Sequence, residues 1–221
     1  MTMQLFADLN QPASVNANQI EWLPSPLAGV DRRMLERDGD EVARATTIVR
    51  YAAGSFFSAH SHTGGEEYYV LSGVFSDESG DYPAGHYVRN PIGSSHKPFT
   101  ESGCEIFVKL RQMHQDDQTY VVTDALGAAK LNIDGVTTLL LHQFESEQVM
   151  VQELNSGQRI NQHSESGLEI LVLAGDVSIE NKTYGSHHWF RWPGKQKIGI
   201  TSLAQNTRLL VKKNHLGKSM H

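Results

Sequence analysis

Apolar and β-branched residues occur along the chain in short runs of five or six positions, each bounded by residues that favour turns. Such runs are typical of β-strands, whereas the longer 3.6-residue periodicity of amphipathic helices is missing. Nineteen glycines and scattered Asn and Ser residues supply the tight turns that many short strands need. The pattern predicts an all-β protein, and the clearest strand signals lie at 46–51, 67–71, 105–110, 137–141, 169–173 and 207–211.

Composition narrows the functional classes. The 221-residue chain has a formal net charge of −6 and a sequence pI near 6.0, so it lacks the basic character expected of a protein that binds nucleic acid or an anionic membrane. No apolar run approaches the roughly 20 residues that span a bilayer, and no basic, apolar leader opens the chain. The single cysteine, Cys104, cannot form an intrachain disulfide. We therefore expect a cytoplasmic protein with neither nucleic-acid nor membrane partners.

Three histidines and a glutamate have the spacing of a metal site. His60 and His62 are two positions apart, so on a strand their side chains leave the same face. The glycine pair at 64–65 permits a reversal that points Glu66 back toward them, and turn residues precede His96. Three imidazoles and a carboxylate suit a first-row divalent metal. The alternative is four polar groups that merely share hydrogen bonds, which would make their burial costly.

The order and spacing of these residues resemble both conserved motifs of the cupin superfamily. The first motif is Gly54, His60, His62, Glu66 and Gly73, and the second is Gly85, Pro91, Gly93 and His96. Thr100 stands where the second motif usually has Asn, which leaves the ligands untouched. Within the cupins, the segments that resemble the ChrR-like anti-sigma-factor cupins are 21–30, 64–73, 77–85, 96, 103–104 and 108–111.

This resemblance implies a fold and a cofactor. The fold would be a cupin barrel, also called a double-stranded β-helix or jelly roll. The cofactor would be one divalent metal held by His60, His62, Glu66 and His96. Zinc is the ion that the ChrR-like family implies, with iron, manganese and nickel as alternatives. Cupins often exchange edge strands between subunits, so a homodimer is also expected.

A second copy of the first motif follows in the chain. His163, Glu165 and Glu169 overlay on His60, His62 and Glu66 when the two stretches are aligned by residue type. We therefore predict two tandem cupin barrels, with an amino-terminal arm at 1–17, a first barrel with the intact site at 18–115 and a second, degenerate barrel at 116–221. The second set lacks its fourth ligand, so it is either a weak metal site or a group of residual polar side chains.

Three further residues near the first site have open roles. Tyr68 is expected to be core or to line a pocket beside the metal and position a substrate. Cys104 is expected to be a small buried hydrophobe, with a supporting or redox-sensitive thiol as the alternative. Glu67 should leave the opposite face of its strand from Glu66, in a surface or supporting role. No catalytic base is identifiable from the sequence.

The ChrR-like resemblance implies a regulatory or sensory role, in which a metal-dependent cupin responds to oxidative stress through an extracytoplasmic-function sigma factor or its anti-sigma system. The chain departs from that family because it lacks the His and Cys ligands of the anti-sigma zinc domain. The alternative is a metal-dependent cupin dioxygenase that acts on a small diketone or phenolic ketone. The partner is accordingly a regulatory protein in the first case and a small-molecule ligand in the second.

Overall fold

The computed structural model describes residues 2–216, and this part of the chain is built from β-strands and one 3₁₀ turn, Ala17–Gln19. It contains no helix long and apolar enough to cross a membrane. The strands are β1 Gln4–Leu5, β2 Ala13–Asn16, β3 Leu23–Pro24, β4 Val30–Asp38, β5 Arg44–Tyr51, β6 Ser55–Phe56, β7 His60–Ser61, β8 Glu66–Asp77, β9 Gly80–Pro83, β10 His86–Asn90, β11 Ser95–His96, β12 Phe99–Thr100, β13 Cys104–Leu110, β14 Val121–Asp124, β15 Leu131–Ile133, β16 Val136–Phe144, β17 Glu147–Leu154, β18 Arg159–Ser164, β19 Leu168–Ala174, β20 Val177–Ile179, β21 Lys182–Tyr184, β22 His188–Trp192, β23 Gln196–Ser202 and β24 Thr207–Lys213.

The chain forms two compact units, which confirms the predicted all-β, tandem jelly-roll architecture. The first unit comprises residues 2–7 and 20–126, and the second comprises 8–19 and 127–216. In the first unit a large antiparallel sheet has the order β1-β4-β5-β13-β8-β10-β14, and β7 pairs separately with β11. Its core contains Tyr68, Val70, Phe75 and Ile106 among others.

The second unit repeats this plan with its own core. One sheet has the order β15-β16-β17-β24-β19-β22-β2, and a second has the order β18-β23-β20-β21. Leu168, Ile170, Val172 and Leu209 are completely or almost completely buried in its core. Apolar residues at every second position of β19 therefore face inward, as the period of a half-buried strand requires.

The predicted amino-terminal arm is part of the two sheets. Gln4–Leu5 pairs with β4 in the first unit, and Ala13–Asn16 pairs with β22 in the second. Backbone hydrogen bonding holds both segments because each covers a strand edge that would otherwise expose unpaired N–H and C=O groups. The division between the units falls after Leu126 rather than near 116, since β14 pairs with β10 in the first unit.

Glu67 is buried, not at the surface, although it does leave the opposite face from Glu66. Tyr87 donates its hydroxyl to Glu67 Oε2 at 2.8 Å, and Arg89 Nη1 contacts the same oxygen at 3.1 Å. Arg89 also pairs with Asp117. A buried carboxylate is tolerable when charged and hydrogen-bonding partners surround it, so this cluster has a structural role.

The glycine of the first motif at position 73 is required by a close backbone approach. Gly73 has φ +72°, and a Cβ there would overlap the carbonyl oxygen of Gly103. Gly54 also has φ +72° but has open space around the position of a Cβ. Substitution of Gly54 therefore tests backbone strain alone, whereas substitution of Gly73 tests backbone strain and steric overlap together.

We expect Gly73→Ala to lower the free energy of unfolding by about 3 kcal/mol or more, because left-handed strain and overlap add. Gly54→Ala should cost about 1 kcal/mol from the strain alone. Chemical denaturation of both variants, followed by circular dichroism, measures the difference. Equal destabilisation would show that the overlap at Gly73 is relieved without cost.

Candidate metal centre

Two very short strands bring distant histidines together. His60 on β7 is the direct cross-strand partner of His96 on β11, and Ser61 is the partner of Ser95. Their rings lie 5.0 Å apart between centroids. His62 follows β7 immediately, and its ring is 5.1 Å from His60 and 4.8 Å from His96. The pairing therefore places three imidazoles around one point.

The turn before β8 positions the carboxylate. Gly65 has φ +75°, and a Cβ at this residue would overlap the Met113 side chain, so only glycine fits the turn. Glu66 then begins β8 with Oε2 at 3.6 Å from His62 Nε2 and 3.7 Å from His96 Nε2. Asn90, the cross-strand partner of Glu66, donates its amide to the same oxygen at 3.0 Å.

Hydrogen bonds fix which ring nitrogens face the centre. His60 Nδ1 lies 3.1 Å from the Ser58 carbonyl oxygen, and His96 Nδ1 lies 3.1 Å from Asp77 Oδ2. Because both oxygens can only accept, each Nδ1 carries the proton and each Nε2 offers a lone pair. The Nε2 atoms of His62 and His96 are buried, and neither has a hydrogen-bond partner within residues 2–216.

These orphaned nitrogens fit a bound cation. One atom each of His60, His62 and His96 lies within 4.8 Å of the others, so the three histidines could hold a metal ion. Burial lowers the pKa of His62; His96 and His60 add to the effect, and Glu66 opposes it. A neutral imidazole is the form that binds metals. The predicted ligand role of Glu66 is compatible with its position but stays a prediction.

Asp77 supports the centre, and the sequence analysis missed it. Its Oδ2 accepts from His96, while its Oδ1 accepts from Tyr82 at 3.0 Å and from the Ser79 backbone at 2.8 Å. The Tyr82 hydroxyl in turn lies 3.4 Å from that of Tyr120. Carboxylates that orient metal-binding histidines are common, but Asp77 lies nineteen positions from His96 and no local motif marks it.

A cavity of about 550 Å³ opens beside the histidines. Its wall includes His60, His62 and Glu66, together with a mainly apolar set that contains Leu27, Val30, Tyr51, Phe57, Pro98 and Leu110. The rings of Tyr51 and Phe57 meet edge to face at 5.2 Å. Burial, with smaller contributions from Glu66 and Cys104, raises the pKa of Tyr51, so its hydroxyl stays protonated at neutral pH.

Tyr68 and Cys104 belong to the core of the first unit rather than to the cavity wall. Tyr68 packs on Phe75 at 4.9 Å, and Phe75 lies 6.1 Å from the His96 ring. Burial raises the pKa of the Cys104 thiol to about 11, so the reactive thiolate is disfavoured. Phe57 and Tyr51 occupy the wall instead, and the sequence analysis did not place Tyr51 at the site.

The second unit does not assemble His163, Glu165 and Glu169 into a site. His163 and Glu165 are exposed, and Glu165 pairs with Lys195 at 2.9 Å. Glu169 is buried and accepts from Trp189 Nε1 at 2.6 Å, with His215 Nε2 at the same distance from its other oxygen. Within residues 2–216, His60, His62 and His96 form the only set of three potential ligands this close together.

Strand register explains this outcome. Glu66 pairs across the sheet with Asn90, and the corresponding pair in the second unit is Leu168 with Trp192. His60 pairs with His96, and its counterpart Gln162 pairs with Ile198. The alignment by residue type was therefore displaced by one position, and the four ligand positions are occupied by Gln162, Ser164, Leu168 and Ile198. Such a set cannot bind a metal ion as the first unit's set could.

Residues 10–114 match the family model of the ChrR cupin-like domain. This part of the chain is a ChrR-like cupin domain. The matched residues include all four predicted ligands of the candidate metal centre; of the second unit's strands they include only β2 and end before β15. No curated protein sequence matches the chain.

Solved structures share the fold of the chain at low sequence identity. A candidate dioxygenase of Nostoc punctiforme is 12% identical with a TM-score of 0.75, over 96% of this chain and 86% of its own. Escherichia coli YlbA is 13% identical with a TM-score of 0.72, over 95% and 93%. The E. coli pirin YhhW in complex with nickel(II) is 16% identical with a TM-score of 0.68, over 92% and 99%. These similarities cover both units and establish the two-unit architecture.

We expect the chain to copurify with a metal ion and His62→Ala to lose most of it, because the substitution removes a buried nitrogen of the predicted ligand set. His163→Ala is the matched control, since His163 is exposed in the second unit. Elemental analysis of both untagged variants gives the ion content per chain. Equal loss from both would contradict a single centre in the first unit.

Asp77→Asn should weaken metal affinity about 10-fold to 100-fold, because the amide retains the size of the carboxylate but not its charge on His96. Asp81→Asn is the control, since Asp81 accepts from Ser76 and does not contact a predicted ligand. Competition with a chromogenic chelator measures both affinities. An unchanged affinity for Asp77→Asn would mean that His96 is oriented by packing alone.

Proposed function

We propose that the chain is a metal-dependent oxidoreductase, a cupin dioxygenase that acts on a small diketone or phenolic ketone. The observation that supports this proposal best is the position of His60, His62 and Glu66 in the wall of the mainly apolar cavity of about 550 Å³, with His96 next to the two other histidines. Ligand pockets of this size are mainly apolar and have a few polar groups that fix orientation. A structural metal site would instead be closed on all sides by protein.

The cavity wall suggests the chemistry of the ligand. Leu27, Val30, Phe57 and Leu110 favour an apolar body, and the metal ligands at one side favour a group with chelating oxygens. Tyr51 lies in the wall, and its protonated hydroxyl group can donate a hydrogen bond to an oxygen of the ligand. These residues would bind and orient the substrate and limit the access of water.

The metal would supply Lewis-acid and redox chemistry to the bound oxygen atoms. Zinc does not change oxidation state, so the proposal requires iron or manganese at His60, His62, Glu66 and His96. The name of the Nostoc punctiforme neighbour supports the same class of reaction by fold-level analogy.

A metal-dependent regulatory role is the second candidate, and the match to the ChrR cupin-like family favours it. In that case the centre would stabilise the first unit, and loss of the ion would change a surface that a sigma factor or anti-sigma protein recognises. The hydrogen-bonded series from His96 through Asp77 and Tyr82 to the exposed residue Tyr120 supports such a link between centre and surface.

Metal identity and oxygen uptake distinguish the two candidates. The untagged chain, purified without added metal, should contain about one ion of iron or manganese per chain, because the proposal has a single catalytic site. A catalytic site keeps an open coordination position. With iron bound, it should consume dioxygen when pentane-2,4-dione or a hydroxyacetophenone is added. Tyr51→Phe should lower kcat/KM about tenfold, the effect of losing one hydrogen bond to an oxygen with charge, without changing metal content.

One zinc per chain, together with no oxygen uptake by the iron-loaded form, would overturn the dioxygenase and favour the regulatory candidate. His62→Ala is the negative control for uptake, because it should lack the ion. Uptake that persists in His62→Ala would place the chemistry outside this centre.

A further inference from the structure

The second unit has its own cavity at the level where the first unit has its metal centre. The cavity has a volume of about 640 Å³ and is lined by residues of β16, β17, β18 and β24 and by the turn at 134–135. Its apolar part includes Val136, Met150 and Ile160, which are buried members of the core. The volume lies in the range of pockets that hold small organic ligands.

A lysine projects from the core face of β24 into this cavity. Lys213 lies two positions after Val211 and four after Leu209, both of which are buried in the core, so its side chain leaves the same face. It is partly buried, and burial lowers its pKa. Its ammonium group makes no ion pair or hydrogen bond within the described residues 2–216.

The strand register shows that this lysine reverses the charge of the first unit's site. Glu66 pairs across the sheet with Leu110, whereas the corresponding pair is Leu168 with Lys213. The first unit therefore has a carboxylate opposite a leucine, and the second unit has a leucine opposite an ammonium group. The first unit presents a group that attracts a cation, and the second presents one that attracts an anion.

Amide groups supply much of the polar part of the cavity wall, which also includes Thr138 and His163. Gln162 is buried and donates its amide to Gln152 Oε1, which leaves the Gln152 amide hydrogens as donors toward a ligand. Asp134 is the one acidic residue in the wall; it lies in an exposed turn and makes no ion pair with Lys213. Arg159, also exposed, adds a second positive charge at the rim.

We propose that this cavity binds a small organic monocarboxylate, with Lys213 pairing with the carboxylate, Gln152 donating a hydrogen bond and the apolar wall covering the body of the ligand. A carboxylate satisfies the ammonium that the fold leaves without a partner. A dianion such as phosphate suits the site less well, because Lys213 can compensate one charge inside the cavity, whereas Arg159 lies at the exposed rim, where solvent screens its charge.

Benzoate is a suitable probe, and its neutral isostere benzamide tests the role of the charge. The full chain in a His62→Ala background removes the metal centre as a competing carboxylate site. We expect calorimetry to show saturable binding of benzoate. The affinity should be at least about tenfold lower for Lys213→Met, because a charge-assisted hydrogen bond is lost. Lys182→Met is the matched control, since Lys182 lies in the same unit outside the cavity wall, and its affinity should be unchanged.

Benzamide and inorganic phosphate should each bind with an affinity at least about tenfold lower than that of benzoate. Benzamide has no charge to pair with Lys213, and phosphate does not match the single charge of the ammonium. Lys213→Gln repeats the test with a polar side chain if Lys213→Met folds poorly by circular dichroism. The proposal is overturned if benzoate does not bind, if both Lys213 variants bind it as the parent does, or if benzamide or phosphate binds equally well.

Discussion

The pairing of two strands of two residues each determines the whole candidate centre. His60 and His96 are direct partners on β7 and β11, and this register fixes the distances of both from His62 and of His96 from Glu66. A slip of one residue between these strands would place the two imidazoles on opposite faces, because side chains alternate along a strand. The neighbouring pair Glu66 and Asn90 in the large sheet holds the carboxylate at the same level. The site therefore depends on backbone hydrogen bonds more than on any contact between its side chains.

The alternation of side chains also explains why two adjacent glutamates have unrelated roles. Glu66 faces the histidines, and Glu67 faces the buried cluster of Tyr87 and Arg89. The second unit retains the structural member of this pair, since Glu169 pairs across the sheet with Arg191 as Glu67 does with Arg89. At the position of Glu66 it has Leu168, which is fully buried in the core. The buried charged cluster is thus common to both units, and the potential ligands are not.

The sequence was sufficient to predict the fold class and the repeat, because strand and turn signals are local. It also predicted the grouping of His60, His62 and His96, because the order and spacing of two separate motifs resemble those of the cupins. It was insufficient for the second unit. There His163 and Glu169 were aligned with His60 and Glu66 by residue type, and the strand pairing shows that this alignment is displaced by one position. Gly157 stands one position closer to Gln162 than Gly54 does to His60, and residue type alone does not reveal this deletion. Asp77 and Tyr51 were also missed, since only the fold brings them to the site from other strands.

The two units carry opposite charges at one cross-strand pair of residues. In the first unit, Glu66 and Leu110 border the cavity beside the histidines; in the second, Leu168 is core and Lys213 borders the cavity. A metal ion in the first unit would neutralise Glu66 and satisfy the buried Nε2 atoms of His62 and His96. In the second unit the positive charge belongs to the side chain of Lys213, so the ligand that compensates it is an anion. One scaffold can accommodate both arrangements because the sheet register is the same, and a change of four or five inward side chains is enough to reverse the charge of the group that each cavity would bind.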